Sequence, residues 1–371
     1  MKYFNLPTQI SKFDDFKGFA KEFSIGENDL VLTHQFLYDP FMKALNLESD
    51  FLMQEQFGAG EPSDEMVDKI HEAIRAKHYN RVIAVGGGTV IDIAKLLIFK
   101  DVTNTLDMFE GNIKLIKDKE LIIVPTTCGT GSEVTNLSIV EVKSKHTKMG
   151  LAMNELYANH AVLIPELLKG LPYNFFIFSA IDALIHAVES YVSPKANEFT
   201  QMISMRAMES LMKGFLKIVE NGPDYRQELL EDFILASNLA GIAFGNAGVG
   251  AVHALSYPLG AAYHVPHGEA NYQFFTEVFK VYNRLNPNGK IEPLNAALAS
   301  LMGVEKEAVY DEIEKVLGNL LSKKPLKEYG MKASEIQEFT TSVVEKQQRL
   351  LANNYMPLSE EEILNIYKRL F

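Results

Sequence analysis

The sequence predicts two consecutive folding units: an α/β part at the N-terminus and an all-α part at the C-terminus. Between residues 29 and 164, short apolar runs rich in β-branched residues alternate with segments of helical periodicity, which is typical of a parallel sheet covered by helices. After residue 172, long helical patterns follow one another without a convincing strand. The predicted domains are therefore residues 1–172 and 173–371.

In the first part, buried strands are predicted from the apolar runs, and helices from the segments between them. The clearest helix covers residues 63–76, where Ser63 is placed as the N-cap and Glu65 lies in the first turn. Another helix follows the glycines at 86–88. The predicted strands are residues 29–34, 81–85 and 120–125, with 137–142 and 160–164 as further candidates.

The second part contains helical patterns at residues 199–220, 305–321 and 333–352. Residues 233–263 carry no Asp, Glu, Lys or Arg and are long enough to cross a bilayer. The run nevertheless contains polar side chains, a proline and several glycines. Two buried helices are therefore predicted there rather than a membrane span.

Composition excludes several classes of protein. The formal net charge is −12, so attraction to a phosphate backbone is not expected and no nucleic-acid partner is predicted. Cys128 is the single cysteine, which rules out an intrachain disulfide and fits a reducing compartment. The N-terminal residues lack the apolar core of a signal peptide. We therefore expect a cytoplasmic protein without a membrane partner.

The turn after strand 81–85 contains three consecutive glycines, Gly86, Gly87 and Gly88, and leads into a helix. Glycine lets the backbone approach a ligand closely, and a helix start offers free N–H groups and partial positive charge to a phosphate. Thr89 can add a hydroxyl donor. The motif is not Gly-x-Gly-x-x-Gly, so a tight turn without a ligand is the alternative. Its place between strand and helix favours pyrophosphate binding.

A second loop, residues 124–136, also follows a strand and is rich in hydroxyl groups and glycines. Its side chains can hydrogen-bond a ribose or a nicotinamide amide; the alternative is a loop that caps its own backbone. Two such loops at successive strand ends favour one elongated ligand across both. The hydroxyl side chains belong to Thr126, Thr127, Thr130, Ser132 and Thr135.

Four side chains suggest a metal site. Asp182 and His186 are four residues apart in an apolar helical pattern, so they share one face of the helix. Alone, this pair is equally well explained as a core histidine bonded to an aspartate. His253 lies in the uncharged run, and His267 follows after a proline and a glycine that let the chain turn back. Three imidazoles and one carboxylate suit Fe²⁺ or Zn²⁺.

These motifs together resemble the iron-containing (group III) alcohol dehydrogenases, and the resemblance runs through nearly the whole chain. It is carried by GGGTVIDIAK (86–95), PTTCGTGSEVTN (125–136), DALIHAVESYVS (182–193) and HALSYPLGAAYHVPHGEAN (253–271). Within the family it is strongest to the branch of fermentative anaerobes that acts on 4-hydroxybutanoate. That closer similarity lies in GEPSDEM (60–66), MFEG (108–111), HVPHGEANYQFF (264–275) and QQRLLANNY (347–355).

The resemblance implies the fold that this family shares with dehydroquinate synthase: a dinucleotide-binding α/β domain followed by an all-α domain. It also implies a homodimer, NAD as cofactor, and Fe²⁺, with Zn²⁺ as the alternative metal. The implied metal ligands are Asp182, His186, His253 and His267. The implied NAD contacts are Gly87, Gly88, Thr89, Asp92, Thr126, Thr127, Thr130 and Lys148.

Three positions depart from the family pattern. His34 stands where the family often has an acidic residue that binds the adenosine ribose and rejects NADP. Tyr257 replaces a histidine beside the nicotinamide, so the role of that imidazole cannot be transferred. His264 stands where a non-basic residue is common; it is either a loop histidine with local hydrogen bonds or a partner for a substrate carboxylate.

The implied reaction is the reversible conversion of 4-hydroxybutanoate and NAD to succinate semialdehyde and NADH. Tyr257 and His264 are the candidate catalytic side chains, because the proton can leave through either of them or through the cofactor ribose. One alternative is the same chemistry on a short alcohol such as 1,2- or 1,3-propanediol or butanol. Others are a dehydroquinate-synthase-like lyase, for which the site segments carry too few Lys and Arg, and a metal-binding protein without catalysis.

Overall fold

The computed structural model describes residues 3–145 and 147–371. Within them the chain forms two compact units, one of residues 6–171 and one of residues 172–371 together with residues 3–5. The predicted N-terminal domain had included residues 3–5. These residues join the helical unit because Asn5 exchanges two hydrogen bonds with Asn246, and the Asn197 amide donates to the Tyr3 carbonyl over 2.7 Å.

The α/β unit alternates strands and helices as predicted. Its elements are β1 (Gln9–Lys12), α1 (Phe16–Glu22), β2 (Asp29–Thr33), α2 (Gln35–Phe41), β3 (Asp50–Met53), α3 (Asp64–Ile74), β4 (Arg81–Gly86), α4 (Gly88–Leu97), α5 (Thr105–Glu110), β5 (Glu120–Pro125), β6 (Leu137–Val142), β7 (Thr147–Ala152) and β8 (His160–Leu163). Ser63 caps α3 as predicted, accepting a hydrogen bond from the Met66 N–H.

Six of these strands form one parallel sheet in the order β1-β8-β5-β4-β2-β3. Along β4, Val82 and Ala84 pack into one apolar cluster, whereas Ile83 and Val85 pack into the other. This alternation follows from the two-residue period of a strand, and it means that both faces of the sheet are covered. The predicted parallel sheet is confirmed.

The 137–142 run is a strand, but it lies outside the main sheet. It pairs antiparallel with β7 in a separate two-stranded sheet. Strands β1 and β7 were not predicted, and both are largely exposed, so their sequences carry no continuous apolar run. The strand β3 was also missed; it is only four residues long, and three of these residues are only half-buried.

The second unit, as far as the structure describes it, contains helices and no strand. Its helices are α6 (Tyr173–Val192), α7 (Glu198–Asn221), α8 (Leu230–Ala247), α9 (Ala251–Tyr263), α10 (His267–Leu285), α11 (Ile291–Met302), α12 (Val309–Leu320), α13 (Glu335–Lys346), α14 (Gln348–Leu351) and α15 (Glu360–Leu370). The helix predicted at 333–352 is interrupted at Gln347, which separates α13 from α14.

The uncharged run 233–263 forms most of α8 and all of α9, and the chain bends by 104° between them. Gly248, which ends α8, has a positive φ of 78°, a conformation that glycine adopts without strain. Among the described helices, α6 alone is long and apolar enough by itself to cross a membrane, and 83% of its most apolar window is buried inside the protein. These helices therefore form the core of the second unit.

Candidate metal centre

Three helices of the second unit bring the four predicted metal ligands together. Asp182 and His186 lie one turn apart on α6, His253 is the third residue of α9, and His267 is the first residue of α10. One ligand atom from each side chain lies within 4.8 Å of the other three. Asp182, His186 and His253 are buried, whereas the His267 side chain is 41% exposed.

The distances within this group suit a shared cation better than direct hydrogen bonds. Asp182 Oδ1 lies 3.8 Å from His253 Nε2 and 3.9 Å from His267 Nε2, and its Oδ2 lies 3.9 Å from His186 Nδ1. These separations exceed hydrogen-bond length. Two ligands about 2.1 Å from a tetrahedral ion are about 3.4 Å apart, close to the observed values. The donor set therefore fits Fe²⁺ or Zn²⁺.

A buried atom without a partner supports the same conclusion. His253 Nε2 has no hydrogen-bond partner among the described residues, although it is inaccessible to solvent. Burying a polar nitrogen without compensation costs about 1–3 kcal/mol. A cation held by His253 Nε2 together with the Asp182 carboxylate removes that cost.

The electrostatics of the group keep the carboxylate available as a ligand. Burial on its own would raise the pKa of Asp182. The imidazoles of His186, His267 and His253, together with a hydrogen bond from the Asn271 amide, lower that pKa below its ordinary value. Asp182 is therefore ionised at neutral pH, as a metal ligand must be.

Two supporting side chains were missed from the sequence. Glu189 Oε2 accepts a hydrogen bond from His253 Nδ1 over 2.7 Å. Asn271 Nδ2 lies 2.7 Å from Asp182 Oδ1 and 3.1 Å from His267 Nε2. Their spacing was the available signal. Glu189 lies seven residues after Asp182 on the same helix, and Asn271 lies one turn after His267.

The two predicted catalytic side chains lie on α9 and at its end. The Tyr257 ring centroid is 6.2 Å from that of His267, so Tyr257 stands beside the metal group. His264 follows the last residue of α9, is exposed, and has a left-handed backbone with φ of 53°. His264 is three residues before His267 and contributes no atom to the four-ligand group.

In the α/β unit, the glycine turn lies directly against the second loop. A side-chain carbon added at Gly87 would lie 3.3 Å from the Thr127 methyl, and one added at Gly88 would lie 3.3 Å from the Thr130 methyl. Gly87 is the N-cap of α4 and makes no side-chain cap, so the first N–H groups of the helix remain available to an anion. The two predicted loops therefore form one surface.

The hydroxyl groups of the second loop have different environments. Thr130 Oγ1 accepts from the Ser132 N–H over 3.3 Å, so this hydroxyl caps its own loop, as in the alternative interpretation. Thr126 is buried, and its N–H donates to the Gly86 carbonyl. Thr127 Oγ1 is buried and has no hydrogen-bond partner within the described chain. Thr127 therefore has the free donor and acceptor that a ribose or amide needs.

Asp92 and Lys95 connect α4 to this loop. Asp92 Oδ1 accepts from Ser132 Oγ over 3.0 Å, and Lys95 Nζ donates to Ser132 Oγ and to the Leu137 carbonyl over 2.8 and 2.7 Å. Burial raises the pKa of Asp92 and lowers that of Lys95 to about 8. The sequence prediction had placed Asp92 among the NAD contacts and had not considered Lys95. In the structure, Asp92 holds the loop in place through Ser132.

Two further predicted positions lie at the rim of the α/β unit. Thr89 Oγ1 donates to the Gly60 carbonyl over 3.2 Å. Lys148 on β7 forms an ion pair with Glu61, the residue that follows Gly60. Thr89 and Lys148 thus contact one short segment, residues 60–61, from two sides.

The position that departs from the family's acidic residue nevertheless has a carboxylate beside it. His34 directly follows β2, and its Nδ1 lies 2.9 Å from Glu55 Oε2. Glu55 follows the adjacent strand β3, and its other oxygen accepts from the Gln35 N–H over 2.7 Å. The Phe36 ring stacks on the His34 ring with a centroid distance of 5.1 Å. The neighbouring strand thus supplies the acidic group that β2 lacks.

The chain belongs to the iron-containing alcohol dehydrogenase family. Residues 10–165 match the family profile described as iron-containing alcohol dehydrogenase, and residues 176–371 match the profile for the C-terminal part of the same family. This confirms the predicted family, the fold class and the prediction of a metal-dependent alcohol dehydrogenase. Neither profile match favours the alternative of a dehydroquinate-synthase-like lyase.

Individual proteins are similar over most or all of the chain. The chain is 58% identical to the 4-hydroxybutyrate dehydrogenase of Clostridium kluyveri over 371 residues, which cover all of both chains. It is 35% identical over 321 residues to long-chain-alcohol dehydrogenase 1 of Geobacillus thermodenitrificans, covering 84% of this chain and 80% of that one. The structure of sulfoacetaldehyde reductase from Bifidobacterium kashiwanohense in complex with NAD+ matches with a TM-score of 0.86 at 22% identity, covering 100% and 99%.

Proposed function

We propose that this protein is an NAD-dependent 4-hydroxybutyrate dehydrogenase, which interconverts 4-hydroxybutanoate and succinate semialdehyde. The observation that carries the chemistry is the convergence of one carboxylate and three imidazoles on a single point. The choice of substrate rests on the 58% identity over the full length of a relative that carries this name.

In this proposal, Asp182, His186, His253 and His267 hold a divalent cation. When bound there, the cation supplies a Lewis acid that lowers the pKa of an alcohol hydroxyl and polarises an aldehyde carbonyl. Tyr257 stands beside His267 and is proposed to relay the hydroxyl proton, taking it up at the phenol oxygen while its own proton passes to solvent.

The α/β unit is proposed to hold NAD, which accepts the hydride at its nicotinamide ring. The pyrophosphate is bound by the backbone N–H groups at the start of α4, which belong to Gly87, Gly88 and Thr89. Thr127 supplies the hydroxyl that has no partner within the described chain. Thr126, Thr130 and Asp92 fix the loop backbone, and Lys148 acts through residues 60–61.

A kinetic comparison of substrates tests this function. The purified chain is reconstituted anaerobically with Fe²⁺ or Zn²⁺ and assayed with 4-hydroxybutanoate, 1-butanol, 1,2-propanediol and 1,3-propanediol, each with NAD and with NADP. The highest kcat/KM is expected for 4-hydroxybutanoate with NAD. A higher kcat/KM for butanol or a propanediol would assign the chain to another branch of the family.

His264 is the proposed partner of the substrate carboxylate. We expect His264→Ala to raise the KM for 4-hydroxybutanoate about tenfold or more, because a hydrogen bond to a charged group is worth about 1.5–3 kcal/mol. The KM for 1-butanol, which has no carboxylate, should change little. Steady-state kinetics with both substrates measures the ratio.

His264→Asn is the matched control, since asparagine tolerates the left-handed backbone found at this position. If both the alanine and the asparagine variant raise the KM for 4-hydroxybutanoate and leave the KM for 1-butanol unchanged, backbone strain at residue 264 is not the cause. Equal rises for both substrates would contradict the carboxylate contact.

The His34–Glu55 pair is proposed to favour NAD over NADP. The Glu55 carboxylate lies beside the end of β2, and a negative charge there repels a 2′-phosphate. We expect Glu55→Gln to lower the ratio of kcat/KM for NAD to that for NADP about tenfold, mainly through a lower KM for NADP. Glu48→Gln, an exposed acid before β3, is the control and should leave the ratio unchanged.

Four wider properties belong to the same proposal. A homodimer is expected from the resemblance to the family. A cytoplasmic location is expected from the single, buried cysteine, and a role in fermentation from the closer branch of relatives. A substrate with a carboxylate is expected from the name of the relative at 58% identity.

A further inference from the structure

We infer that Glu189 is a positioning residue that sets the metal affinity of the site by fixing the ring orientation and tautomer of His253. The inference rests on the proposed metal site. It assigns to Glu189 no contact with substrate, cofactor or metal. Its effect is exerted through His253.

Both carboxylate oxygens of Glu189 are occupied. Oε2 accepts from His253 Nδ1 over 2.7 Å, and Oε1 accepts from the Val252 N–H over 2.7 Å. Glu189 is only 2% exposed, so water does not compete for these hydrogen bonds. The two donors are consecutive in the chain, and one carboxylate therefore holds both the backbone and the ring at the start of α9.

The first of these hydrogen bonds determines which nitrogen of His253 can bind a cation. A carboxylate only accepts, so the proton must stand on Nδ1 and the lone pair must stand on Nε2. Nε2 is the atom that faces Asp182 at 3.8 Å and has no hydrogen-bond partner in the described chain. The opposite tautomer would direct an N–H group at the metal position.

The second hydrogen bond fixes the position of the ligand along the chain. Gly250 precedes α9 and has no side chain that could cap the helix. Val252 is the second residue of α9, so its N–H has no partner within the helix. Glu189 satisfies the buried Val252 N–H and places negative charge at the positive end of the helix. Because His253 is the next residue, the start of the helix and the position of the ligand are fixed together.

Glutamine cannot reproduce this arrangement. It offers one acceptor oxygen and one donor NH₂ group to two positions that both require an acceptor. If the amide NH₂ faces His253, the ring must take the tautomer that cannot bind metal; if it faces Val252, two donors oppose each other. Glu189→Gln therefore removes the function of the carboxylate with almost no change in volume.

The test is the dissociation constant for Zn²⁺ and, anaerobically, for Fe²⁺, measured on the full chain by competition with a chromophoric chelator. We expect Glu189→Gln to raise both constants about 10- to 100-fold, the range found for partners of metal-bound histidines. Ser190→Ala is the matched control. Ser190 is the next residue on α6, is buried, and forms a hydrogen bond with Ser204 instead of with the metal group. The metal dissociation constants of Ser190→Ala should therefore stay within about twofold of those of the wild type.

A double-mutant cycle with His253→Ala separates this inference from general weakening of the fold. Without the His253 ring, Glu189→Gln is expected to change the dissociation constant by less than about twofold. An equal loss in both backgrounds, or wild-type affinity in Glu189→Gln, would overturn the inference. If Glu189→Gln does not fold, Glu189→Asp, which keeps both acceptors but is shorter, is put through the same cycle and must show the same dependence on His253.

A wild-type chain that binds neither metal would contradict the proposed function itself. Metal binding in the wild type with unchanged affinity in the Glu189 variants would contradict only the role of Glu189. The two failures are therefore distinguishable.

Discussion

Asp182→Ala is expected to remove the bound metal and to lower kcat/KM about a thousandfold or more. Asp182 is the one carboxylate of the group, and its oxygens lie between 3.8 and 3.9 Å from the nitrogens of all three histidines. Lewis-acid stabilisation of a developing oxyanion is worth several kcal/mol, and each 1.4 kcal/mol corresponds to a factor of ten. Metal content and steady-state kinetics after anaerobic reconstitution measure both losses.

His267→Ala should give the same loss with less effect on folding, because the His267 side chain is 41% exposed. His78→Ala, an exposed histidine of the α/β unit, is the control and should keep full metal content and turnover. Circular dichroism establishes that each variant is folded. Full activity in a metal-free Asp182 or His267 variant would contradict the proposed role of the metal in the reaction.

Lys95→Met is expected to weaken NADH binding at least tenfold and to reduce the free energy of unfolding by about 3 kcal/mol. The lysine is fully buried and holds the second loop to α4 through Ser132, Thr135 and the Leu137 carbonyl. Removing a buried charge from its network leaves its partners without compensation, which costs about 3–5 kcal/mol. Denaturant unfolding and NADH fluorescence titration measure the two effects.

The matched control is Lys100→Met, which changes an exposed lysine just after α4. It should alter neither quantity by more than the usual surface effect of about 0.5 kcal/mol. Wild-type affinity for NADH in Lys95→Met would mean that the loop keeps its conformation without the lysine.

The lowered pKa of Lys95 adds a dependence on pH. Its pKa falls from 10.5 to about 8 on burial, so between these values the unfolded chain binds more protons than the folded chain. Stability from this group therefore increases as pH rises from about 8 to 10.5. In Lys95→Met that contribution is absent, and unfolding curves measured across this interval should differ from wild type in slope.

The sequence was sufficient for the inner strands β2, β4 and β5 of the sheet because these strands are buried. The runs 29–34, 81–85 and 120–125 each contain at least three consecutive apolar residues, and each coincides with a strand of the sheet. Edge and hairpin strands carry no such signal, since solvent tolerates polar residues on them. This is why β1 and β7 were missed.

The four ligands were predicted because the pattern places rare residue types in apolar helices. The supporting residues were harder to find, since Glu and Asn are common on helix surfaces, and the spacing of Glu189 and Asn271 from the ligands becomes informative only when their burial is known. Lys95 was missed for the same reason. The hydrogen bond between His34 and Glu55 joins two separate strand ends, and no local spacing predicts it.

The contacts that build the metal group are distant in sequence: Asn271 and Asp182 are 89 residues apart, and His253 and Glu189 are 64. An unfolded chain retains at most the Asp182–His186 pair as a chelating unit, so the ion binds the native state far more tightly than the denatured state. By mass action, free metal at a hundred times its dissociation constant then adds about 2.7 kcal/mol to conformational stability. Chelators would thus act on this protein as denaturants as well as inhibitors.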